Sequence, residues 1–164
     1  MRHRYIWAAL VILAMPVNAI AKGPPPSVEF TQSAGQTAAK PVPLTLEALS
    51  ALPQVTQTVT FKTSKGQSTA TYKGPLLWDV LKSTGALDGL EHNAELSKVL
   101  LATAADGYQI AYSIGELSPD FGNAMILLAL EVDGKPLPQG FQIVAQGDKR
   151  GARALHDLTK IELR

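Results

Sequence analysis

The feature that most restricts the fold of this chain is a succession of short strand-like segments joined by tight turns. Val55 to Lys62 alternates apolar and polar residues, and Lys65-Gly66 then leads into a second segment, Gln67 to Tyr72. Because alternate side chains of a strand face opposite sides of a sheet, this pattern predicts a β-hairpin. Asp106-Gly107 between two apolar runs predicts a second hairpin further along the chain.

The remaining segments add strands and a few short helices. Short helices are predicted after Thr45, where Pro53 is the stop, and after Pro75, where Gly85 ends the element. Other strands are predicted at Met125 to Val132 (as a central strand), Phe141 to Ala145 and Leu158 to Leu163. Strands outnumber helices and are joined largely by short turns. The sequence therefore predicts a single β-rich α+β domain with mixed sheets and short helices, not a doubly wound parallel sheet.

The N-terminus has the pattern of a secretory signal peptide. A basic start is followed by the apolar run Tyr5 to Met15 and by the small residues Ala19-Ile20-Ala21. This pattern predicts a signal peptide over residues 1–21, cleaved after Ala21 or, alternatively, after Ala19. No second apolar run reaches the roughly 20 residues that a spanning helix needs. We therefore expect a periplasmic or secreted mature protein that does not span the membrane.

Residues 22–43 are rich in Pro, Ser, Thr, Gln, Ala and Gly, which is typical of a flexible N-terminal arm. Val28-Glu29-Phe30 is its one strand-like island and could form an edge strand. The folded domain is accordingly predicted over residues 44–164.

Charge and composition exclude several classes of function. Loss of Arg2 and Arg4 with the signal peptide takes the formal charge from +1 to −1, which argues against a nucleic-acid partner. The chain has no cysteine, so an exported domain of this size must depend on packing instead of disulfides. His92 and His156 are far apart in sequence and have no ligand at suitable spacing, so no zinc site is expected.

Gly147 to Leu158 stands out because no other stretch of the chain brings three cations, two glycines and a histidine so close together. It combines two glycines with Lys149, Arg150 and Arg153, and His156 follows closely. Glycines let backbone N–H groups turn toward a ligand, and basic side chains attract oxygen atoms, so the stretch predicts an anion-binding loop. A solvated turn between two strands is the alternative.

Three segments, in this order, resemble the molybdopterin-binding domain of the sulfite oxidase family. They are Tyr72 to Leu81 with Gly85, Ala105 to Tyr108, and Val132 to Pro138 leading into Gly147 to Leu163. The likeness covers roughly residues 44–164 and implies a sulfite oxidase-like fold. It also implies that the basic loop grips a pterin and its phosphate through Lys149, Arg150, Arg153 and the neighbouring backbone.

The chain departs from this family at the metal ligand. The family's molybdenum-ligating cysteine lies between the first strand of the domain and the Gly-Pro-Leu segment, but residues 59–72 contain no cysteine here. A hydroxyl from Ser64 or Ser68 is a hard ligand and a poor substitute for a thiolate. Molybdenum is therefore not expected, and the resemblance is closer to small exported relatives that lack this cysteine and look like pterin-binding sensor modules.

Recognition of a pterin requires stacking on its flat ring and two hydrogen bonds to its guanidine-like edge. The aromatic candidates for stacking are Trp78, Tyr108 and Phe121. The carboxylate candidates for the ring edge are Asp106, Asp148, Asp157 and Glu116. Asp106 can instead be a turn residue, Asp148 and Asp157 can instead pair with neighbouring arginines, and His156 is either a hydrogen-bond donor to the ligand or a structural residue.

Three functions remain open at this point. The leading hypothesis is a non-catalytic periplasmic sensor of a reduced pterin or molybdopterin-like ligand, which docks onto the periplasmic domain of a membrane-bound protein controlling cyclic-di-GMP. The second is an oxidoreductase or accessory subunit that holds molybdenum cofactor through the pterin alone. The third is an interaction module whose pocket has closed. The sequence offers neither a Gly-x-Ser-x-Gly elbow nor a phosphate-binding loop ending in Lys-Ser or Lys-Thr.

Overall fold

The computed structural model describes residues 26–34, 37–38, 41–91, 93–137 and 140–164. Within these ranges the three helices are α1 Leu46–Ser50, α2 Leu77–Ser83 and α3 Ile114–Leu117. The strands are β1 Ser27–Ala34, β2 Thr37–Ala38, β3 Val42–Thr45, β4 Val55–Thr63, β5 Gly66–Gly74, β6 Val99–Ala104, β7 Gln109–Ser113, β8 Ile126–Ala129, β9 Glu131–Val132, β10 Lys135–Pro136, β11 Phe141–Ala145 and β12 Leu155–Leu163. Two 3₁₀ turns cover Ala94–Ser97 and Gly151–Arg153.

The strands form two sheets that pack against each other. The main sheet runs β2-β1-β12-β11-β8, with β3 paired to β1 and the β6–β7 hairpin paired to β12. The second sheet runs β10-β9-β5-β4. Both parallel and antiparallel pairs occur, because β1 runs parallel to β12 whereas β11 and β6 run antiparallel to it. The predicted β-rich α+β fold with mixed sheets and short helices is confirmed.

Strand β8 joins the two sheets. Its four residues are all buried: Ile126 and Leu128 pack in the core of the main sheet, and Leu127 and Ala129 pack between the sheets. Its far edge meets the chain just after β5 of the second sheet, where the Leu128 N–H donates to the Pro75 carbonyl over 2.9 Å. The prediction of a central strand for this apolar run is therefore corrected: β8 lies at the end of the main sheet, and it is apolar because both of its faces are covered.

Gly74 allows this junction to form. A Cβ at position 74 would overlap the carbonyl oxygen of Leu128 and would lie 2.9 Å from the Cα of Ala129. Two backbones can approach this closely only where one of them has no side chain. The glycine in the Gly74-Pro75 pair is thus required by packing between the sheets.

The N-terminal stretch assigned to a flexible arm needs a correction for its described part. Residues 27–34 form β1, which lies between β3 and β12 in the main sheet, and Val28 and Phe30 are buried. The partner strand β12 is more than a hundred residues away, so local composition gave no sign of the pairing. The predicted signal peptide at residues 1–21 and His92 lie outside the described residues.

The predicted helices and the second hairpin are confirmed. Thr45 caps α1, because its Oγ1 accepts a hydrogen bond from the Ala48 N–H over 3.2 Å. In α2, Leu77, Val80 and Leu81 are buried, as their helical spacing predicts. Within the described residues, no helix combines the length and apolarity needed to cross a bilayer.

Candidate functional site

The basic loop, residues 147–153, links β11 to β12 and contacts the end of β4. Gly147 has φ of +93°, a conformation that side chains disfavour, and it turns the chain as β11 ends. The Lys62 N–H then donates to the Lys149 carbonyl over 3.0 Å, and Lys62 and Arg150 form a parallel β-bridge. The loop is therefore fixed to the last residues of β4 by backbone pairing.

The backbone of the loop also packs on an aromatic ring. A Cβ built on Gly151 would lie 3.7 Å from the Phe61 side chain. Phe61 is buried and belongs to the apolar cluster between the two sheets. The loop thus closes one end of that cluster, and its position depends on the core beneath it.

Two tyrosines from the β6–β7 hairpin hold the other end of the loop. The Tyr108 hydroxyl donates to the Ala152 carbonyl and the Tyr112 hydroxyl donates to the Arg153 carbonyl, each over 3.0 Å. Tyr112 is fully buried, and burial raises the pKa of its hydroxyl, although the nearby charge of Arg153 opposes that rise. The Tyr112 hydroxyl therefore remains protonated and able to donate.

Arg153 is held by two carboxylates. Its Nε and Nη2 donate to the two oxygens of Asp148 over 3.0 and 2.9 Å, and its Nη1 donates to Glu116 over 2.9 Å. The guanidinium also lies 5.2 Å from the centre of the Tyr112 ring. The hydrogen bond to Asp148, with a smaller contribution from Glu116, raises the pKa of Arg153. Each of its three nitrogens already has a protein partner, so Arg153 shapes the loop.

Lys149 and Arg150 differ from Arg153 in their surroundings. Both are exposed, and among the described residues neither forms an ion pair. Their backbone atoms are fixed by Lys62, whereas their charged side chains extend into solvent. Of the three cations in the loop, these two can bind an anion without first breaking a contact that their side chains make with the described residues.

Four of the other predicted site residues, Asp106, Tyr108, His156 and Asp157, share one cavity. It has a volume of about 430 Å³ and lies where the β6–β7 turn meets the start of β12. Its lining is Ala104, Ala105, Asp106, Tyr108, Ala154, Leu155, His156 and Asp157. Asp106 also accepts a hydrogen bond from the Tyr108 N–H over 2.9 Å, so the turn role and the cavity position coexist. Lys149, Arg150 and Arg153 do not line this cavity.

Trp78 is placed elsewhere. It lines a separate cavity of about 360 Å³, whose wall carries several acidic side chains: Asp88, Glu91, Glu95 and Asp120. Phe121 is half exposed in the turn after α3. Of the three aromatic residues proposed for stacking, Tyr108 is the one that the fold brings to the loop.

Sequence reasoning missed Lys62, Phe61 and Tyr112. No local pattern marks the first two, because their contact with the loop joins residues almost ninety positions apart. Tyr112 did have a signal, since it lies four residues after Tyr108 and a strand turns such residues to the same face. The pairing of Asp148 with Arg153 was one of the two alternatives that the sequence left open.

Comparison with known proteins identifies a related family. A family model described as "oxidoreductase molybdopterin binding domain" matches residues 24–141, well over half of the chain. No curated protein matches the chain. The family match begins before β1, in keeping with the place of that strand inside the main sheet, and it ends at the start of β11. The basic loop and β12 follow the matched region.

Proposed function

We propose, from the premise that the chain belongs to the oxidoreductase molybdopterin-binding domain family, that it binds a pterin without redox catalysis. The family binds a molybdopterin cofactor, and this chain has no cysteine to ligate molybdenum. Among the described residues, no group of three histidine, aspartate or glutamate side chains is arranged to hold a metal ion instead. A molybdenum ion ligated by the protein therefore does not fit the residues of this chain.

The contact between Lys62 and Lys149 carries the proposal. Lys62 lies in the stretch where the family resemblance puts the metal-binding cysteine, and Lys149 lies in the loop that it assigns to the pterin phosphate. The 3.0 Å hydrogen bond between their backbones means that these two stretches still meet. This contact supports a binding site in which the basic loop lies beside the stretch that lacks the thiolate.

The residues around the loop fit a phosphate-bearing pterin. Lys149 and Arg150 supply exposed positive charge for the phosphate, and the glycine-flanked backbone supplies N–H donors. The neighbouring cavity, at about 430 Å³, has the size of an ordinary ligand pocket. Tyr108 offers an aromatic face to the ring, and Asp106 and His156 offer an acceptor and a donor to its polar edge.

The proposal extends to a sensor in the periplasm. The signal-peptide pattern at residues 1–21 supports export, and the likeness to exported relatives without the cysteine supports sensing. In this scheme the occupied form docks onto the periplasmic domain of a membrane-bound protein that controls cyclic-di-GMP. Recognition of the ligand, and not its oxidation, is then the whole chemical task of the domain.

Chromatography of small molecules released from protein purified from its native compartment tests this function. We expect a reduced pterin to be released, and a titration with reduced pterin to give saturable binding to ligand-free protein. Protein that neither carries nor binds a pterin at high micromolar concentration would exclude the proposal. Elemental analysis of the same samples separates the alternatives, because molybdenum in stoichiometric amount would favour the oxidoreductase.

A further inference from the structure

Strand β4 has one edge that the described structure leaves almost unpaired. Over residues 55–63 it pairs with β5, but on its other side it meets only Arg150, at the bridge from Lys62. The Lys62 N–H points to that outer side, because it bonds to Lys149. Alternate residues of an antiparallel strand direct their N–H and C=O groups to the same side, so Thr56, Thr58 and Thr60 also direct theirs outward.

This edge lacks the features that usually keep a strand from pairing with other chains. Proteins protect such edges with charged residues, proline, bulges or very short strands. Residues 55–61 contain no charge and no proline, and their register with β5 runs without a break. The edge is therefore a regular template for one more strand.

We propose that β4 pairs antiparallel with β4 of a second copy of this chain, about a twofold axis at Thr58. In that arrangement Thr58 faces its own copy, and Thr56 faces Thr60. Each such pair can exchange two backbone hydrogen bonds, since all three residues direct these groups outward. The ladder between copies ends at Thr56 and Thr60, because the outer side of Lys62 is already occupied by Lys149 and Arg150 of the basic loop.

The exposed face of the hairpin favours a second copy of this chain, and not an unrelated strand, as the partner of β4. Threonine hydroxyls already pair across it, Thr58 with Thr71 over 3.0 Å and Thr60 with Thr69 over 2.8 Å. Pairing about Thr58 places threonine opposite threonine again and continues this ladder from one copy into the next. Identical surfaces meeting across a twofold axis are the commonest form of oligomer.

The opposite edge of the hairpin is less suited to the same role. Along β5, the Thr71 N–H already donates to the Asp133 carboxylate over 2.8 Å, and Tyr72 and Lys73 pair with β9. A strand edge alone also buries less surface than the roughly 1,000 Å² expected of a stable interface. The dimer is therefore expected to depend on concentration. This inference is independent of pterin binding.

Disulfide trapping tests the position of the axis. The chain has no cysteine, so a single introduced thiol can form a disulfide only between copies. Facing Cα atoms in a hydrogen-bonded pair are about 5.5 Å apart, within the range that a disulfide spans. We expect T58C to give a covalent dimer under mild oxidation and T71C, on the same exposed face, to stay monomeric. Equal cross-linking of the two variants, or none in T58C, would overturn the proposal.

Proline substitutions give a second test that does not depend on cross-linking. Thr60 and Thr69 face each other, and each lies in a position that does not use its N–H within the hairpin. T60P removes a donor from the proposed interface, whereas T69P makes the same change at the opposite edge. Analytical ultracentrifugation over a concentration series should show dimer in the unmodified protein and in T69P but not in T60P. A monomer throughout, or loss of dimer in T69P alone, would overturn it, and circular dichroism checks that both variants fold.

Discussion

The C-terminal end and the middle of the basic loop both carry cations, but these cations differ in what they contact. At its C-terminal end, Arg153 donates from three nitrogens to Asp148 and Glu116. In the middle of the loop, the side chains of Lys149 and Arg150 are exposed and are tied to the domain through their backbone alone. The first arrangement holds the loop in shape, and the second leaves charge available for a ligand.

This comparison shows that the number of cations in a loop does not give the number of ligand contacts. An arginine whose guanidinium is hydrogen-bonded to carboxylates attracts an approaching anion only weakly, because the negative charges of the carboxylates neutralise its positive charge. Arg153 with Asp148 and Glu116 carries a net charge of −1, so all of the positive charge that the loop can offer an anion comes from Lys149 and Arg150. Substitutions of Arg153 on the one hand, and of Lys149 and Arg150 on the other, should therefore separate effects on stability from effects on binding.

R153A is expected to have the largest effect on stability. It leaves the half-buried carboxylates of Asp148 and Glu116 without their shared partner, which we expect to cost about 1–2 kcal/mol in the free energy of unfolding. R153K should recover only part of this loss, since an ammonium cannot reproduce the bidentate contact. Denaturant titration measures the difference, and an R153A variant as stable as the unmodified protein would show that the ion pairs contribute nothing.

Lys149 and Arg150 are expected to give the opposite result. K149A and R150A should each weaken pterin binding, by roughly fivefold to tenfold if each cation contacts the phosphate. The free energy of unfolding should change by no more than about 0.5 kcal/mol, as is usual for exposed side chains. Isothermal titration calorimetry with a phosphorylated pterin and a non-phosphorylated analogue provides the control, because loss of the phosphate should remove the effect of both substitutions.

Y112F tests the buried tether of the loop. The substitution removes the hydrogen bond to the Arg153 carbonyl and leaves that carbonyl without its donor, at a cost of about 1 kcal/mol. Thermal unfolding measures this change. The ring remains beside Arg153, so a loss much larger than this would mean that the hydroxyl supports more of the loop than this one bond.

Y108F should change the free energy of unfolding less than R153A or Y112F does. Tyr108 makes an equivalent bond to Ala152, but its side chain is half exposed and water can replace the lost donor. We expect a change of less than about 0.5 kcal/mol in the free energy of unfolding. Hydrogen exchange at the amides of residues 151–154 is the more sensitive measurement. Faster exchange in Y112F than in Y108F is the expected order, and the reverse would contradict the assignment of Tyr112 as the stronger tether.

Much of the fold could be predicted from local patterns. The alternation in β4, its hairpin with β5, the Asp106-Gly107 turn and the helix after Pro75 are each encoded within about twenty residues, and each is confirmed. The two corrections concern pairing across the chain. The composition of residues 27–34 suggested an arm because their partner β12 is distant, and the apolar run of β8 suggested a central strand because burial on both faces also occurs at a junction of two sheets.

The candidate site was predicted only in part, for a related reason. The residues of the basic loop and of the Asp106-Gly107 turn could be named from composition, and the turn residues share a cavity with His156. The sequence could not show that Arg153 forms ion pairs while the side chain of Arg150 is exposed, because Glu116 is 37 residues from Arg153 in sequence. Trp78 was a reasonable candidate from its type alone, but it lines a different cavity.

The sequence by itself determined the local elements, the family and the lack of a thiolate, since hydrophobic periodicity, turn residues and cysteine content need no knowledge of neighbours in space. The tertiary structure decided which charges cancel and which backbones meet. It brought Lys62 to Lys149 and paired the guanidinium of Arg153 with two carboxylates. Among the described residues, it also left most of one edge of β4 without a partner strand. Contacts between residues far apart in sequence depend on how whole sheets pack, and no local pattern contains that information.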